Sequence, residues 1–355
     1  MNDFKRRQFL QIAGTFMLSA GLPVRAAQQA TVSPALSFPQ GIASGDPQTD
    51  SVILWARAIV PGQDTVALTV QLSETENFAE VVVEAQLTAG ADSDFTVRAY
   101  IDELQAGRHY YYRFLGADGG QSIVGRTMTA PAVDDIRPVN LAFASCQNYE
   151  QGYFGAWSRM ITEDRGKPEQ EQIQFVLHLG DFIYERYGYE DNDGQRYVRK
   201  LPEYPDSDSD GELYWADTLA DYRHLYHTYL ADPHLQAARA RWPFVCTWDD
   251  HEFSNNSVQD FSTYGDKPVR QPKRKTAAHQ AWFEYIPALV EDNPADLRIY
   301  RSLRWGQHID LLLTDLRSYR SHHPLPKGLV KELKLPTTPS ELVEIFDAGK
   351  NYNNG

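Results

Sequence analysis

Cysteine, methionine and long apolar segments are all scarce in this sequence. Its 355 residues include only 2 cysteines, Cys146 and Cys246, and 4 methionines. Two cysteines cannot form the several disulfides of a small disulfide-rich domain. A single disulfide between them is possible, but we expect free thiols, with Cys246 inert in the core, because the two residues end different apolar runs. No apolar run reaches the ~20 residues of a membrane-spanning helix, so no permanent membrane span is predicted.

Positive charge is also in deficit. The chain has 34 Lys and Arg against 48 Asp and Glu, a formal net charge of -14. Such a charge repels duplex nucleic acid and anionic membrane surfaces, which excludes binding driven by the overall field. A substrate that carries phosphate would need a local positive centre, supplied by metal ions or a few arginines. The 20 Tyr, 16 Phe and 7 Trp indicate a folded, well-packed protein.

The first 27 residues have the pattern of an export signal. Arg6 and Arg7 precede a Phe-Leu pair, a mildly apolar stretch over residues 12–22 and the small-residue segment Val24-Arg25-Ala26. Paired arginines followed by these features are typical of a twin-arginine signal. The alternative is a basic terminus without a targeting role. We expect residues 1–27 to be a signal peptide read by the twin-arginine export machinery, and the mature protein to be periplasmic or secreted.

The region from residue 38 to residue 131 has the alternation of half-buried strands. Val66, Leu68, Val70 and Leu72 alternate with small or polar residues, and turn signals such as Pro61-Gly62 separate successive runs. This pattern predicts an antiparallel β-sandwich with an immunoglobulin- or fibronectin-like arrangement. No cluster of acid, base and nucleophile stands out in it.

Three apolar runs follow residue 137, and each ends in polar residues of the metal-ligand type. Residues 139–144 lead to Cys146, residues 173–179 lead to Asp181, and residues 244–247 lead to Asp250 and His251. Strands that alternate with helical segments indicate an α/β or α+β fold, in which functional side chains gather at the carboxyl ends of the strands. The three runs therefore predict one site.

The residue types at these strand ends suit cation binding. Asp181 could bridge two cations, and Tyr184 could bind a hard trivalent ion as phenolate if positive charge lowers its pKa from about 10. Cys146 could bind as thiolate. Each has an ordinary alternative: a helix cap for Asp181, core positions for Tyr184 and Cys146, and a solvated turn for the run 249–252. The coincidence on three strand ends favours the metal site.

The sequence resembles the PhoD-like alkaline phosphatases and phosphodiesterases of the calcineurin-like metallophosphoesterase superfamily. The segments that carry the resemblance occur in the family's order and are GIASGDPQTDSVILWAR (41–57), FASCQNYEQGY (143–153), HLGDFIYE (178–185), YLADPHLQAAR (229–239), TWDDHE (247–252) and LTDLRSYR (313–320). The resemblance implies an N-terminal β-sandwich over residues 38–131 and a metallophosphoesterase domain, a β-sandwich flanked by helices, over residues 137–355. It also implies Fe(3+) together with Ca(2+) or another divalent ion.

The resemblance also assigns roles to individual residues. It implies that Cys146 and Tyr184 are ligands of the iron, that Asp181 bridges the metals, and that Asp250 binds the second ion. His251 would lie beside the phosphate as the catalytic residue. Asp250 stands where relatives carry Asn, and its extra negative charge favours a hard ion such as calcium.

Family members carry a late Gly-Asp-x-His segment with further ligands, and none occurs between residues 315 and 355. We therefore expect the metallophosphoesterase domain to be incomplete here, its C-terminal part missing. The predicted function is that of an exported phosphoesterase, which hydrolyses monoesters and/or diesters with a metal-activated water. The alternatives are a phospholipase D-like diesterase and a secreted cell-wall or ligand-binding protein with an inactive phosphatase domain. Arg317 and Arg320 are candidates for substrate binding, although a surface role is equally open.

Overall fold

A computed structural model describes residues 35–186, 188, 198–205, 215–263 and 268–321. The predicted signal peptide, residues 1–27, lies outside the described residues. Among the helices of the described ranges, none combines the length and apolar character needed to cross a bilayer.

Fourteen strands and four α-helices make up the described part of the chain. The strands are β1 Ile42–Gly45, β2 Val52–Arg57, β3 Thr65–Ser73, β4 Val83–Gly90, β5 Thr96–Ile101, β6 His109–Gly116, β7 Gly125–Met128, β8 Leu141–Ala144, β9 Phe175–His178, β10 Pro243–Cys246, β11 Phe261–Ser262, β12 Val269–Arg270, β13 Arg301–Trp305 and β14 Ile309–Leu313. The helices are α1 Gly155–Arg165, α2 Leu219–Leu230, α3 Pro233–Arg241 and α4 Pro272–Tyr285.

Local sequence explains where two of the helices begin. Helix α2 follows a capping box in which the Thr218 side chain accepts from the Asp221 backbone N–H and the Asp221 carboxylate accepts from the Thr218 N–H. Helix α3 has Asp232 as its N-cap and Pro233 at its first position, where a missing N–H costs nothing. The capping residues therefore fix where both helices begin.

Two sheets pack face to face through strands of the first part of the chain. A four-stranded antiparallel sheet has the order β4-β3-β6-β7, and a six-stranded sheet has the order β5-β2-β1-β10-β9-β8. Side chains such as Leu54 and Val70 fill the space between them. Trp55 points to the other face of the larger sheet, among the helices, and its indole N–H donates to the Glu284 carbonyl oxygen at 2.6 Å. The mixed α and β class is thus confirmed, whereas the immunoglobulin-like arrangement remains a prediction.

The six-stranded sheet crosses the boundary predicted between residues 131 and 137. Strand β1 pairs with β2 on one side and, in parallel, with β10 on the other, with Gly45 opposite Phe244. Gly45 has no room for a side chain, since an added Cβ would lie 2.7 Å from the Phe244 carbonyl oxygen. The division into two domains therefore remains a prediction, and the two regions share a sheet.

The parallel strands β8, β9 and β10 position the candidate site. Ala144 and Cys246 both lie opposite His178, so the three strands end at the same level. The hairpin of β13 and β14 packs over this part of the sheet, where the Trp305 ring contacts the Phe175 ring with centroids 4.5 Å apart. The segments after the three strand ends consequently meet at one edge.

Candidate metal centre

The groups predicted at the three strand ends do meet. Cys146 Sγ lies 3.3 Å and the Tyr184 hydroxyl 3.4 Å from Asp181 Oδ2. The His251 backbone N–H donates to Asp181 Oδ1 at 3.4 Å. Ligand atoms of Asp181, Asp250 and His251 lie within 4.8 Å of one another. Cys146, Tyr184, Asp250 and His251, from three segments of sequence, thus cluster around the Asp181 carboxylate.

The backbone at two of these residues is in the left-handed region. The φ angles of Cys146 and Asp181 are 56° and 53°. For residues other than glycine this conformation costs of order 1–3 kcal/mol and persists only where surrounding contacts hold it. Here the Cys146 N–H donates to the Gly180 carbonyl oxygen and the Gln147 N–H donates to that of Asp181, both at 3.2 Å. Strain of this kind, at two adjacent candidate ligands, is typical of a functional site.

Gly180 allows the segments after β9 and β10 to approach. Its φ is 105°, and an added Cβ would lie 2.7 Å from the Trp248 carbonyl carbon and closer still to the Asp249 nitrogen. Both neighbours are backbone and cannot move aside cheaply.

We expect Gly180→Ala to lower the free energy of unfolding by about 3 kcal/mol, from the combined cost of the positive φ and of overpacking. Urea unfolding would measure the loss. Gly62→Ala is the matched control, because Gly62 also has a positive φ, 79°, but nothing lies within 4 Å of an added Cβ. The control should lose only about 1 kcal/mol. Equal losses would show that the close approach does not matter.

His251 is held in place by Glu185, a contact that no pattern in the sequence indicates. Its Nδ1 lies 2.7 Å from Glu185 Oε2, and its ring stacks on Tyr184 with centroids 4.1 Å apart. The other oxygen of the buried Glu185 accepts from the Asn255 N–H at 2.6 Å. Burial lowers the pKa of His251, but the bond and charge of Glu185, with the charge of Asp181, outweigh it and raise the pKa to about 9. These contacts favour the protonated form of the imidazole near neutral pH.

Glu252 links the segment after β9 to the segment after β10. No pattern in the sequence predicts this contact. Its carboxylate accepts from the Phe182 N–H at 2.6 Å and from the Asp249 N–H at 2.9 Å. Burial, followed by the charge of Asp181, raises its pKa, and the two backbone N–H bonds oppose that shift. The only signal in the sequence was the run of four ionisable residues, 249–252, and that run does not indicate which carboxylate turns inward.

The two candidate arginines lie at the rim of the site. The guanidinium of Arg317 is 2.6 Å from Asp249 Oδ1 and 3.0 Å from Asp250 Oδ1, so its side chain faces the cluster. Arg320 is half-buried and lines a surface cleft together with Arg317, Leu316 and Tyr319. Its carbonyl oxygen accepts from the Gln259 side chain at 3.1 Å.

The two thiols have different environments. Cys246 is free and buried at the end of β10, and burial raises its pKa to about 12, which makes it an inert core thiol as expected. Cys146 is free and exposed beside Asp181.

The donor groups fit a cation. Burial, opposed by His251 and reinforced by the charges of Asp250 and Asp249, raises the pKa of Asp181. Burial also raises the pKa values of Tyr184 and Cys146, and the charge of Asp181 adds to both shifts. Their anionic forms are therefore unfavourable unless positive charge enters the cluster. Carboxylates and a phenolate suit hard cations, and the thiolate adds a softer ligand.

Comparison with known proteins gives the family. The family model "PhoD-like phosphatase" matches residues 141–348, and the model "PhoD-like phosphatase, N-terminal domain" matches residues 25–131. The chain belongs to the PhoD-like phosphatase family. The resemblance drawn from the sequence motifs is thereby confirmed.

One curated relative and one solved structure show how much of the chain is similar to known PhoD-like proteins. Alkaline phosphatase D of Bacillus subtilis (strain 168) is 35% identical over an alignment of 338 residues, and the match covers 90% of this chain and 54% of that protein. A solved structure described as "Structure of PhoD" is 32% identical, with a TM-score of 0.71 over 83% of this chain and 54% of that one. The chain spans about half the length of these relatives.

Proposed function

We propose that this protein is a metal-dependent phosphoesterase that hydrolyses phosphate monoesters and/or diesters. The observation that carries the proposal is a cluster of one thiol, two carboxylates, a phenol and an imidazole. These groups lie beyond the carboxyl ends of the parallel strands β8, β9 and β10, which end in register. Membership of the PhoD-like phosphatase family and the likeness to an alkaline phosphatase D support the reaction class.

Cys146, Asp181, Tyr184 and Asp250 are the residues that would hold Fe(3+) and Ca(2+), or another divalent ion in the place of calcium. Asp181 would serve as the bridge, because Cys146 and Tyr184 approach its Oδ2 while its Oδ1 faces the His251 segment. When bound, such ions polarise phosphoryl oxygens and lower the pKa of an attacking water.

His251 is the proposed catalytic residue. The Glu185 bond at Nδ1 fixes the ring orientation and keeps the imidazole protonated, so Nε2 is the atom that would donate a proton to the leaving oxygen. A positioned acid of this kind contributes about 10² to 10⁴ in rate. Glu185 acts through His251 and is a positioning residue.

A phospholipase D-like diesterase is the second candidate, and one observation favours it. The cleft that contains Arg320 is also lined by the exposed apolar side chains of Leu316 and Tyr319, which suit a substrate with an apolar group. Arg320 is the proposed phosphate contact in either case. Parallel assays with an alkyl phosphate monoester and a phosphatidylcholine diester separate the candidates, because each predicts the larger kcat/KM on its own substrate.

A secreted binding protein with an inactive phosphatase domain is tested by metal analysis. The proposed enzyme should be purified from the periplasm with iron and a divalent ion bound in a constant ratio to protein. Protein that contains neither metal, and gains none on dialysis against them, would support the binding role.

Export by the twin-arginine route remains a proposal, with residues 1–27 as the signal. We expect the double replacement Arg6→Lys and Arg7→Lys to retain the protein in the cytoplasm, since the paired arginines are what the export machinery reads. Fractionation of cells that express both forms measures the result. Normal export of the double variant would argue against this route.

A further inference from the structure

Arg317 joins two consecutive carboxylates at the edge of the candidate metal centre. Its Nε is 2.6 Å from Asp249 Oδ1 and its Nη2 is 3.0 Å from Asp250 Oδ1. Its Nη1 points to the Ser257 carbonyl oxygen at 3.5 Å. The planar guanidinium thus directs donors from all three nitrogens toward the protein.

The backbone behind Arg317 is fixed by Asp315. Asp315 Oδ1 accepts from the Arg317 N–H at 2.9 Å, from the Ser318 N–H at 2.8 Å and from the Trp248 indole at 3.0 Å. The Arg317 carbonyl oxygen accepts from the Gln259 N–H at 3.0 Å. The backbone that carries Arg317 is therefore fixed by contacts that do not involve the charge of its side chain.

The charges around this arginine need a counterion. Asp250 is buried and Asp249 half-buried, and with Asp181 they place three carboxylates in one small volume. Like charges in one small volume repel one another, most strongly at the buried Asp181 and Asp250, where little water screens them. Asp250 Oδ2 accepts from the Asn256 N–H, which orients the carboxylate but adds no full positive charge. Arg317 supplies a full positive charge in direct contact with Asp249 and Asp250, in addition to the charge of the nearby His251 imidazolium.

We propose that Arg317 is a positioning residue that carries the counter-charge for Asp249 and Asp250, and so keeps this part of the centre folded before a cation binds. The inference rests on the proposed metal-dependent function. It differs from a phosphate-binding role, because the guanidinium already directs its donors to the two carboxylates.

Thermal unfolding with and without a cation tests this role. In a chelator, Arg317→Gln should lower Tm by about 4 °C, because two partly buried carboxylates lose their partner. In millimolar calcium less than half of this loss should remain, because the ion neutralises the same carboxylates. Arg317→Lys keeps the charge and should retain most of the wild-type Tm in chelator.

Arg270→Gln is the control, since Arg270 forms a similar pair with Asp260 at 2.8 Å on the exposed surface. This variant should change Tm by less than about 1 °C.

The outcomes separate the inference from the function on which it rests. Equal losses for Arg317→Gln in chelator and in calcium would indicate packing alone and overturn the counter-charge role. An unchanged Tm in both conditions, with more than tenfold weaker binding of inorganic phosphate to the metal-loaded protein, would assign Arg317 to substrate instead. A wild-type protein that gains no Tm from iron or calcium would contradict the proposed metal centre itself.

Discussion

Replacing Asp181 with asparagine is expected to remove bound metal from the protein and to reduce hydrolysis of p-nitrophenyl phosphate by about 10³-fold or more. Asp181 is central because Cys146 Sγ and the Tyr184 hydroxyl approach one of its oxygens while the His251 backbone approaches the other. An amide has one oxygen and no negative charge, so it cannot bridge two cations. Metal content per folded protein, measured by mass spectrometry, and the rate of hydrolysis are the two measurements.

Asp164→Asn provides a control for the general cost of altering a buried aspartate. Asp164 is buried in the last turn of helix α1 and pairs with Arg241 at the end of helix α3, away from the strand ends that form the centre. We expect the control to lose stability and yet to keep its metal-to-protein ratio. If Asp181→Asn retains iron and the divalent ion at wild-type ratios, Asp181 is not the bridge.

Much of this centre could be predicted from the sequence, because the end of a buried strand can be recognised from the order of residues alone. Apolar runs followed by Cys146, Asp181 and Asp250 mark positions that a parallel sheet brings to one edge, and the level register at His178 explains why the segments meet. No knowledge of side-chain direction was needed to group these three residues.

The supporting contacts could not be predicted in the same way. Glu185, Glu252 and Arg317 act through the tips of long side chains, and the direction of those tips depends on how separate segments pack. A run such as residues 249–252 gives no indication of which carboxylate binds backbone N–H groups and which faces a cation. Tertiary packing decides between these roles.

The pairing of β1 with β10 was missed for a different reason. Strand β2 is the next strand after β1 in the sequence, and the alternation of apolar residues predicts only this local antiparallel pair. A parallel partner about two hundred residues later in the chain does not change the alternation of apolar residues in β1, so that alternation cannot predict it. The signal that remains is Gly45, whose missing side chain allows the Phe244 backbone to approach.

Replacing His251 with alanine should leave the metal content nearly unchanged and lower kcat by about 10² to 10⁴-fold on an alkyl phosphate. The expected loss on p-nitrophenyl phosphate is smaller, because nitrophenolate departs readily without a proton. This dependence on the leaving group distinguishes a proton donor from a residue that only shapes the centre, since distortion of the centre slows both substrates equally.

Glu185→Gln is the companion variant to His251→Ala. The amide is nearly isosteric and can still hydrogen-bond Nδ1 of His251, but it removes the charge that keeps the imidazole protonated. We therefore expect an intermediate loss of kcat with the same dependence on the leaving group. Steady-state kinetics on both substrates, with metal content measured in each preparation, would check this. An alkyl phosphate rate unchanged by His251→Ala would remove His251, and with it Glu185, from the proposed mechanism.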